Sequence, residues 1–305
     1  MPFEGVVCVL KPPGLTSSDV VVDVRRIFHE KRVGHTGTLD PAAAGVLPVC
    51  IGRATRLFDY LVDKRKRYLA EIRFGAATDT EDAYGAVIER AECDVSAEAL
   101  EAVLPSFLGD QLQTPPIYSS LNVNGVKMYK LARRGEVTAP VEERKRLITV
   151  SRMELVEKLD KNSFLIDIEC SKGTYVRTLC RDIGRKLGVP AYMPFLLRTA
   201  SGSFDLSCSH TIAELKELSE QAALESVLVL MDEAVAHIPA LCLNGLSKRQ
   251  KRLLVNGASV PFEGCPEGEI QRLYIDGAFM GLAVRDAGGL HITVWLGPEN
   301  AANGE

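Results

Sequence analysis

Gly34-His35-Thr36-Gly37-Thr38-Leu39-Asp40-Pro41-Ala42-Ala43-Ala44-Gly45-Val46-Leu47-Pro48-Val49-Cys50-Ile51-Gly52-Arg53-Ala54-Thr55-Arg56 is the stretch around which the chain is organised. Its first half is turn chemistry. Glycines at 34 and 37 and a proline at 41 suit a backbone that passes through unusual φ/ψ values or lies close to a ligand, and they fit badly in a helix or central strand. The loop is built around one acid, Asp40, which precedes the small run Ala42-Ala43-Ala44-Gly45 and the apolar run Val46-Leu47-Pro48-Val49. That order puts the carboxylate at a cleft edge. Taken alone, Asp40-Pro41 also reads as a helix N-cap followed by proline at the first helical position. The flanking His35, the Thr36-Gly37-Thr38 turn and the downstream Arg53 and Arg56 are more than a cap needs. No Gly-Lys-Ser/Thr follows at the spacing of a phosphate loop.

Composition frames this loop without explaining it. With 305 residues, 46% of them hydrophobic and 25% charged, the chain is ordinary globular material for one large domain, or one medium and one small. No apolar run is long enough to span a bilayer and the first residues lack a signal pattern, so a cytoplasmic protein is expected. Eight cysteines without Cys-x-x-Cys pairs, most of them among apolar neighbours, read as reduced core thiols, and no metal site is expected. The net charge of −4 excludes only a uniformly basic surface. Local clusters at Lys31-Arg32, Lys64 to Arg67, Arg133-Arg134, Arg144 to Arg146 and Lys248 to Arg252, with acids gathered in 89–101 and 214–225, fit a dipolar surface with one basic face.

Periodicity supplies the elements. Gly5 to Leu10 reads as a buried strand, and Thr16 to Asp19 offers caps for a helix with Val20, Val24, Ile27 and Phe28 on one face. Lys66 to Gly75 alternates, with Tyr68, Ala70, Ile72 and Phe74 sharing a face on which a tyrosine reads as core. Thr78 to Gly85 is an acidic loop without calcium-loop spacing, and Ser96 to Leu108 an amphipathic helix. Asn124-Gly125 marks a hairpin turn ahead of a short basic helix with Lys127, Lys130, Arg133 and Arg134. A strand at 164–170, a glycine turn and a helix running to Leu187 place Tyr175 and Arg177 near the cleft. Beyond about residue 237, β-like runs at 271–275, 279–284 and 290–296 suggest a small barrel or meander.

The run GHTGTLDPAAAGVLPVCIGRATR resembles the catalytic signature of the bacterial TruB-type tRNA pseudouridine synthases, which isomerise uridine 55 in the T arm of tRNA. Further segments match in the family's order. They are Lys11-Pro12-x-Gly14-x-Thr16-Ser17, Thr78-Asp79-Thr80-x-Asp82-x-x-Gly85, Gly173-Thr174-Tyr175-x-Arg177 and Leu196-x-Arg198-Thr199-x-Ser201-Gly202-x-Phe204. The resemblance implies an α+β fold: a catalytic domain over 1–237 with a mixed, mostly antiparallel sheet flanked by helices, an RNA-gripping insertion at about 112–146, and a PUA-like RNA-binding domain over 238–305. It implies Asp40 as nucleophile, Tyr68 against the target uracil, and Arg177 paired with Asp40, where a neighbouring guanidinium favours the ionised carboxylate a nucleophile needs. Tyr175 near the target nucleotide, Leu196 in the uracil pocket and His35 filling the gap left by a flipped base complete the set, and Lys11 either buttresses the site or contacts phosphate. Position 197, commonly a second arginine in the family, is Leu197 here. No cofactor or obligatory protein partner is implied, and the expected partner is the T stem-loop of tRNA. Two rival functions fit parts of the same sequence. A non-catalytic RNA-binding module has no need of Asp40 with Arg177, and a small-molecule hydrolase would want a second acid or base beside Asp40.

Overall fold

Tyr68, Ala70, Ile72 and Phe74 alternate with Arg67, Leu69, Glu71 and Arg73, and in the folded chain this period of two becomes a central strand with one face buried and one polar. The structure, a computed structural model, describes residues 3–62, 65–119, 121–123, 125–136 and 145–298. In chain order the first elements are β1 (Gly5–Lys11), α1 (Ser17–Ile27), β2 (Val33–His35), β3 (Ala44–Ile51), α2 (Phe58–Val62), β4 (Lys66–Phe74), β5 (Ala76–Thr78) and β6 (Val87–Arg90). There follow α3 (Ala97–Val103), β7 (Gly109–Gln113), β8 (Asn122–Val123), β9 (Val126–Lys127), α4 (Met128–Arg133), β10 (Arg146–Lys158), β11 (Ser163–Cys170), α5 (Val176–Leu187), β12 (Ala191–Ser201), β13 (Phe204–Asp205), α6 (Ile212–Glu220) and α7 (Met231–Ala234). The C-terminal part contains β14 (Ala240–Leu243), α8 (Lys248–Val255), β15 (Ile270–Ile275), β16 (Ala278–Asp286) and β17 (Gly289–Trp295).

The main sheet runs β1-β3-β12-β4-β11-β10-β7, with β2 on β3 and β13 on β12. All of its pairings are antiparallel except β12 with β3, where Leu197 faces Ala44 and Arg198 faces Gly45. Gly45 has φ +117°, and a Cβ there would fall 2.2 Å from the Arg198 carbonyl oxygen, so only glycine permits this parallel contact. One side of the sheet buries Ile72, Phe74, Phe164, Ile166 and Ile168 against Leu179 and Ile183 of α5. The other side of β4 and β11 carries charge pairs, among them Arg67 with Asp167. Helix α1 begins as its sequence dictates, with Thr16 and Asp19 forming a capping box, and it packs Val20, Val24 and Ile27 on Val7, Val9 and Val49.

The C-terminal strands form a separate sheet in the order β14-β15-β16-β17. The three expected β runs are its meander; β14, parallel to β15, and the basic helix α8 are additions that periodicity did not announce. This sheet is fixed to the front of the chain. Leu282 and Leu296 pack with Val6, Cys50, Ala54 and Leu57, and Arg56 Nη1 donates to the Trp295 carbonyl at 2.8 Å. Within the expected insertion, β8 and β9 pair and the buried Met128 anchors α4, whereas Asn124 of the turn and Arg144 of the basic cluster lie outside the described residues, as does Lys64. Among the described residues no helix is long and apolar enough to cross a membrane.

Candidate active site

The loop between β2 and β3 meets the ends of β4, β11 and β12 around a cavity of about 290 Å³, whose wall includes Asp40, Lys66, Tyr68, Tyr175, Arg177 and Leu196. No helix starts at Asp40, which disposes of its reading as a cap. The loop is held from behind. Ser17 Oγ accepts from the Leu39 N–H at 2.9 Å and donates to the Leu39 carbonyl at 3.2 Å, so the first turn of α1 fixes the residue before the acid. Lys11 fixes the residues after it. Its Nζ donates to the carbonyls of Ala43, Pro12 and Pro41 at 2.6, 2.8 and 3.3 Å.

Arg177 stands in the first turn of α5, whose N-cap is Tyr175. Its guanidinium is 5% exposed and shared between two acids: Nη2 is 3.5 Å from Asp40 Oδ2 and Nη1 is 3.5 Å from Asp82 Oδ2. Nη2 also donates to the Tyr118 carbonyl at 2.6 Å. The acidic loop thus has a use unrelated to metal. Asp82 is itself oriented by the Thr80 hydroxyl at 2.6 Å and the Tyr84 N–H at 2.9 Å, and it approaches Nη1 of Arg177 while Asp40 approaches Nη2. Next along the chain, Glu81 pairs with Arg181 and accepts from the Thr178 hydroxyl, tying the same loop to α5.

Tyr68 is 7% exposed, and burial pushes its phenol up to about 12 against the opposing influence of Arg198, so the hydroxyl keeps its proton at neutral pH. Leu196 is 7% exposed on the same wall. The Tyr175 ring has Arg177 and Arg146 at 5.7 and 5.8 Å from its centroid, and burial raises its phenol too. Its main chain is clamped by Gln113, which accepts from the Tyr175 N–H at 2.8 Å and donates to the Tyr175 carbonyl at 3.0 Å.

The structure therefore brings Asp40, Tyr68, Tyr175, Arg177 and Leu196 to one cavity and leaves His35 and Lys11 off its wall. Of the two readings of Lys11, buttress or phosphate contact, its placement is that of the buttress: it is fully buried with its ammonium turned to backbone carbonyls of the loop. Half-buried His35 closes β2, where its Nδ1 accepts from the Gly37 N–H at 3.3 Å; burial, then the charge of Arg198, lowers its pKa and favours neutral imidazole. Sequence reasoning missed the positions of Asp82, Lys66 and Arg198. Lys66 had a signal, since it shares the buried face of β4 with Tyr68.

A fold of this topology is already met among solved structures. The chain aligns over 97% of its length with 86% of a chain in a structure described as an H/ACA RNP bound to a substrate RNA containing 2′-deoxyuridine, at a TM-score of 0.73 and 23% identity. The archaeal box H/ACA sRNP Nop10-Cbf5 complex gives 0.71 at 23% identity, covering 98% of this chain and 88% of that one. These likenesses establish the fold. Two family models match in sequence: the TruB family pseudouridylate synthase N-terminal domain over residues 25–176 and the tRNA pseudouridylate synthase B C-terminal domain over 177–236. Proteins named tRNA pseudouridine synthase B are 43% identical in Caldanaerobacter subterraneus subsp. tengcongensis, covering 94% of this chain and 96% of that protein, and 44% identical in Bacillus subtilis, covering 77% of each. The chain belongs to the TruB family and is a pseudouridylate synthase.

Proposed function

We propose that the protein converts uridine 55 in the T arm of tRNA to pseudouridine, with Asp40 as the nucleophile. The relatives named above are tRNA pseudouridine synthases, which supports tRNA as the substrate. The observation that carries the finer reading is the ion pair of Asp40 with the almost fully buried Arg177 at a cavity sized for a nucleobase and walled by Tyr68 and Leu196. A uridine inside a folded loop must leave its stack to reach such a cavity. There the Tyr68 ring packs on the uracil, Leu196 closes the pocket, Tyr175 lies beside the nucleotide, and His35 fills the space the base vacates. Breaking the N1–C1′ bond frees the base, rotation presents C5, and formation of the C5–C1′ bond is balanced by loss of the C5 proton and gain of one at N1. No atom enters or leaves overall. Burial holds the Tyr68 hydroxyl protonated at neutral pH, which suits the residue to packing on the base and to proton donation.

The division into a catalytic domain over 1–237 and a PUA-like RNA-binding domain over 238–305 belongs to the same proposal. Exposed Lys248, Arg249 and Arg252 on α8 support RNA contact there, and exposed Lys130 on α4 supports a grip by the insertion. Tritium release from tRNA transcript carrying 5-³H-uridine tests the reading. Wild type is expected to release tritium, Asp40→Asn to release none while still binding tRNA, and a transcript with cytidine at position 55 to yield nothing above its background. Release that survives Asp40→Asn would reject the nucleophile.

A further inference from the structure

Three cations besides Arg177 line the cavity, Lys66, Arg146 and Lys172, and a fourth, Arg198, lies behind its Gly37 wall; they fall into two kinds. Exposed Lys172 and half-buried Arg146 sit where a phosphate backbone can reach them. Lys66, 7% exposed, and Arg198, fully buried, lie too deep for that. Arg198 Nε donates to the Val46 carbonyl at 2.6 Å and Nη2 to the Gly37 carbonyl at 3.2 Å, while Nη1 is buried without a hydrogen-bond partner. Among the described residues no carboxylate forms an ion pair with Arg198, whereas the charge of Arg177 is answered by Asp40 and Asp82. The two deep cations converge on one point of the wall: a Cβ built on Gly37 would lie 3.5 Å from Lys66 Cε and 3.7 Å from Arg198 Nη1. Lys66 also stands two residues before Tyr68 on the same face of β4.

The buried charge of Arg198, with no carboxylate paired to it among the described residues, costs stability in the resting protein, and such a fixed charge stabilises an anion that forms beside it. The reaction makes one. When the N1–C1′ bond breaks, its electron pair stays with the base, and the negative charge spreads over N1, O2 and O4. We propose that Lys66 is a further catalytic residue whose ammonium donates to the detached uracil and, with Arg198 as a fixed charge behind the Gly37 wall, holds that base as an anion until C5 bonds to C1′. Lys66 keeps its proton throughout. The C5 proton is lost and N1 is protonated after rejoining, so the balance is that of the isomerisation. This inference rests on the reading of the reaction given above.

The test compares Lys66→Met and Lys66→Arg with wild type in single-turnover tritium release at saturating enzyme, with tRNA affinity measured by filter binding and folding by melting temperature. Two substrates are used, carrying 5-³H-uridine or 5-³H-4-thiouridine at position 55; sulfur carries negative charge better, so the thiolated base leaves as a more stable anion. Lys66→Met is expected to lose about 100-fold on uridine, the scale of deleting one preorganised donor, and about tenfold or less on 4-thiouridine, with tRNA affinity within about twofold. Lys66→Arg, which keeps the charge, is expected to recover most of the rate. Equal losses on the two substrates, a loss explained by weaker tRNA binding, full activity of Lys66→Met, or a folded but equally slow Lys66→Arg would each overturn the role of Lys66. Failure of wild type to release tritium would instead remove the parent reading, and this one with it.

Discussion

Replacing Lys11 by methionine removes a buried ammonium while keeping a chain of similar reach. Although the ammonium donates to three carbonyls, burial dominates its titration and lowers its pKa from 10.5 to about 8, with Asp40 opposing the shift and Arg198 adding to it. At about 1.4 kcal/mol per pH unit, folding therefore favours the neutral amine over the ammonium by about 3 kcal/mol. Below pH 8 both the folded and the unfolded chain hold the proton, and the folded state bears the full cost of burying the charge. Between about 8 and 10.5 the folded protein has released the proton while the unfolded chain still binds it, so this residue makes stability rise with pH. Above 10.5 the gain is complete. Urea unfolding of wild type and Lys11→Met, run in parallel from pH 7 to the highest pH at which unfolding stays reversible, isolates the effect, because groups common to both proteins cancel in the difference. Wild type is expected to gain stability relative to the variant as the pH climbs, by up to about 3 kcal/mol in total. Parallel curves, or a relative loss for wild type, would refute a burial-dominated lysine. Turnover offers a second readout: the variant is expected to be about tenfold slower because the Ala43 carbonyl loses its donor and the Asp40 loop loses its placement. Its tRNA affinity is expected to be unchanged, unlike that of a variant lacking a phosphate contact.

Other outcomes follow from the same geometry. Asp82→Asn keeps the shape of the Arg177 brace and removes its charge; with both partners nearly buried, a loss of about 3 kcal/mol in urea unfolding is expected, together with slower tritium release at unchanged tRNA affinity. Gly45→Ala places a methyl group 2.2 Å from the Arg198 carbonyl at φ +117°, and is expected to yield little soluble protein, or one destabilised by more than about 3 kcal/mol in urea. In a titration followed by phenolate absorbance, wild type minus Tyr68→Phe is expected to show one tyrosine ionising only near pH 12, and an ionisation near 10 would contradict its burial.

Local order in the chain was enough for much of this. Thr16 with Asp19 wrote the start of α1, the alternation from Lys66 to Phe74 wrote a strand with Tyr68 on its buried face, and the glycines and proline around Asp40 wrote a loop. These are effects of neighbours within a few residues, where capping, side-chain period and turn preference act. The family signature added Arg177 and Leu196 to the same site, and both line the cavity with Asp40. Tertiary structure alone decided the charges around them. Lys11, an ordinary lysine at the end of an apolar run, becomes a loop anchor because Ala43, 32 residues away, presents its carbonyl to it inside the core. Asp82 looked like one acid among several on a surface loop until α5 brought Arg177 against it. Arg198 gives the sharpest case: its Val46 acceptor is 152 residues distant, and only the parallel contact of β12 with β3, allowed by the missing side chain at Gly45, buries a guanidinium behind the cavity. Sequence periodicity reports which face of an element is apolar; which charges are buried together depends on pairings between distant strands, and no local pattern records those.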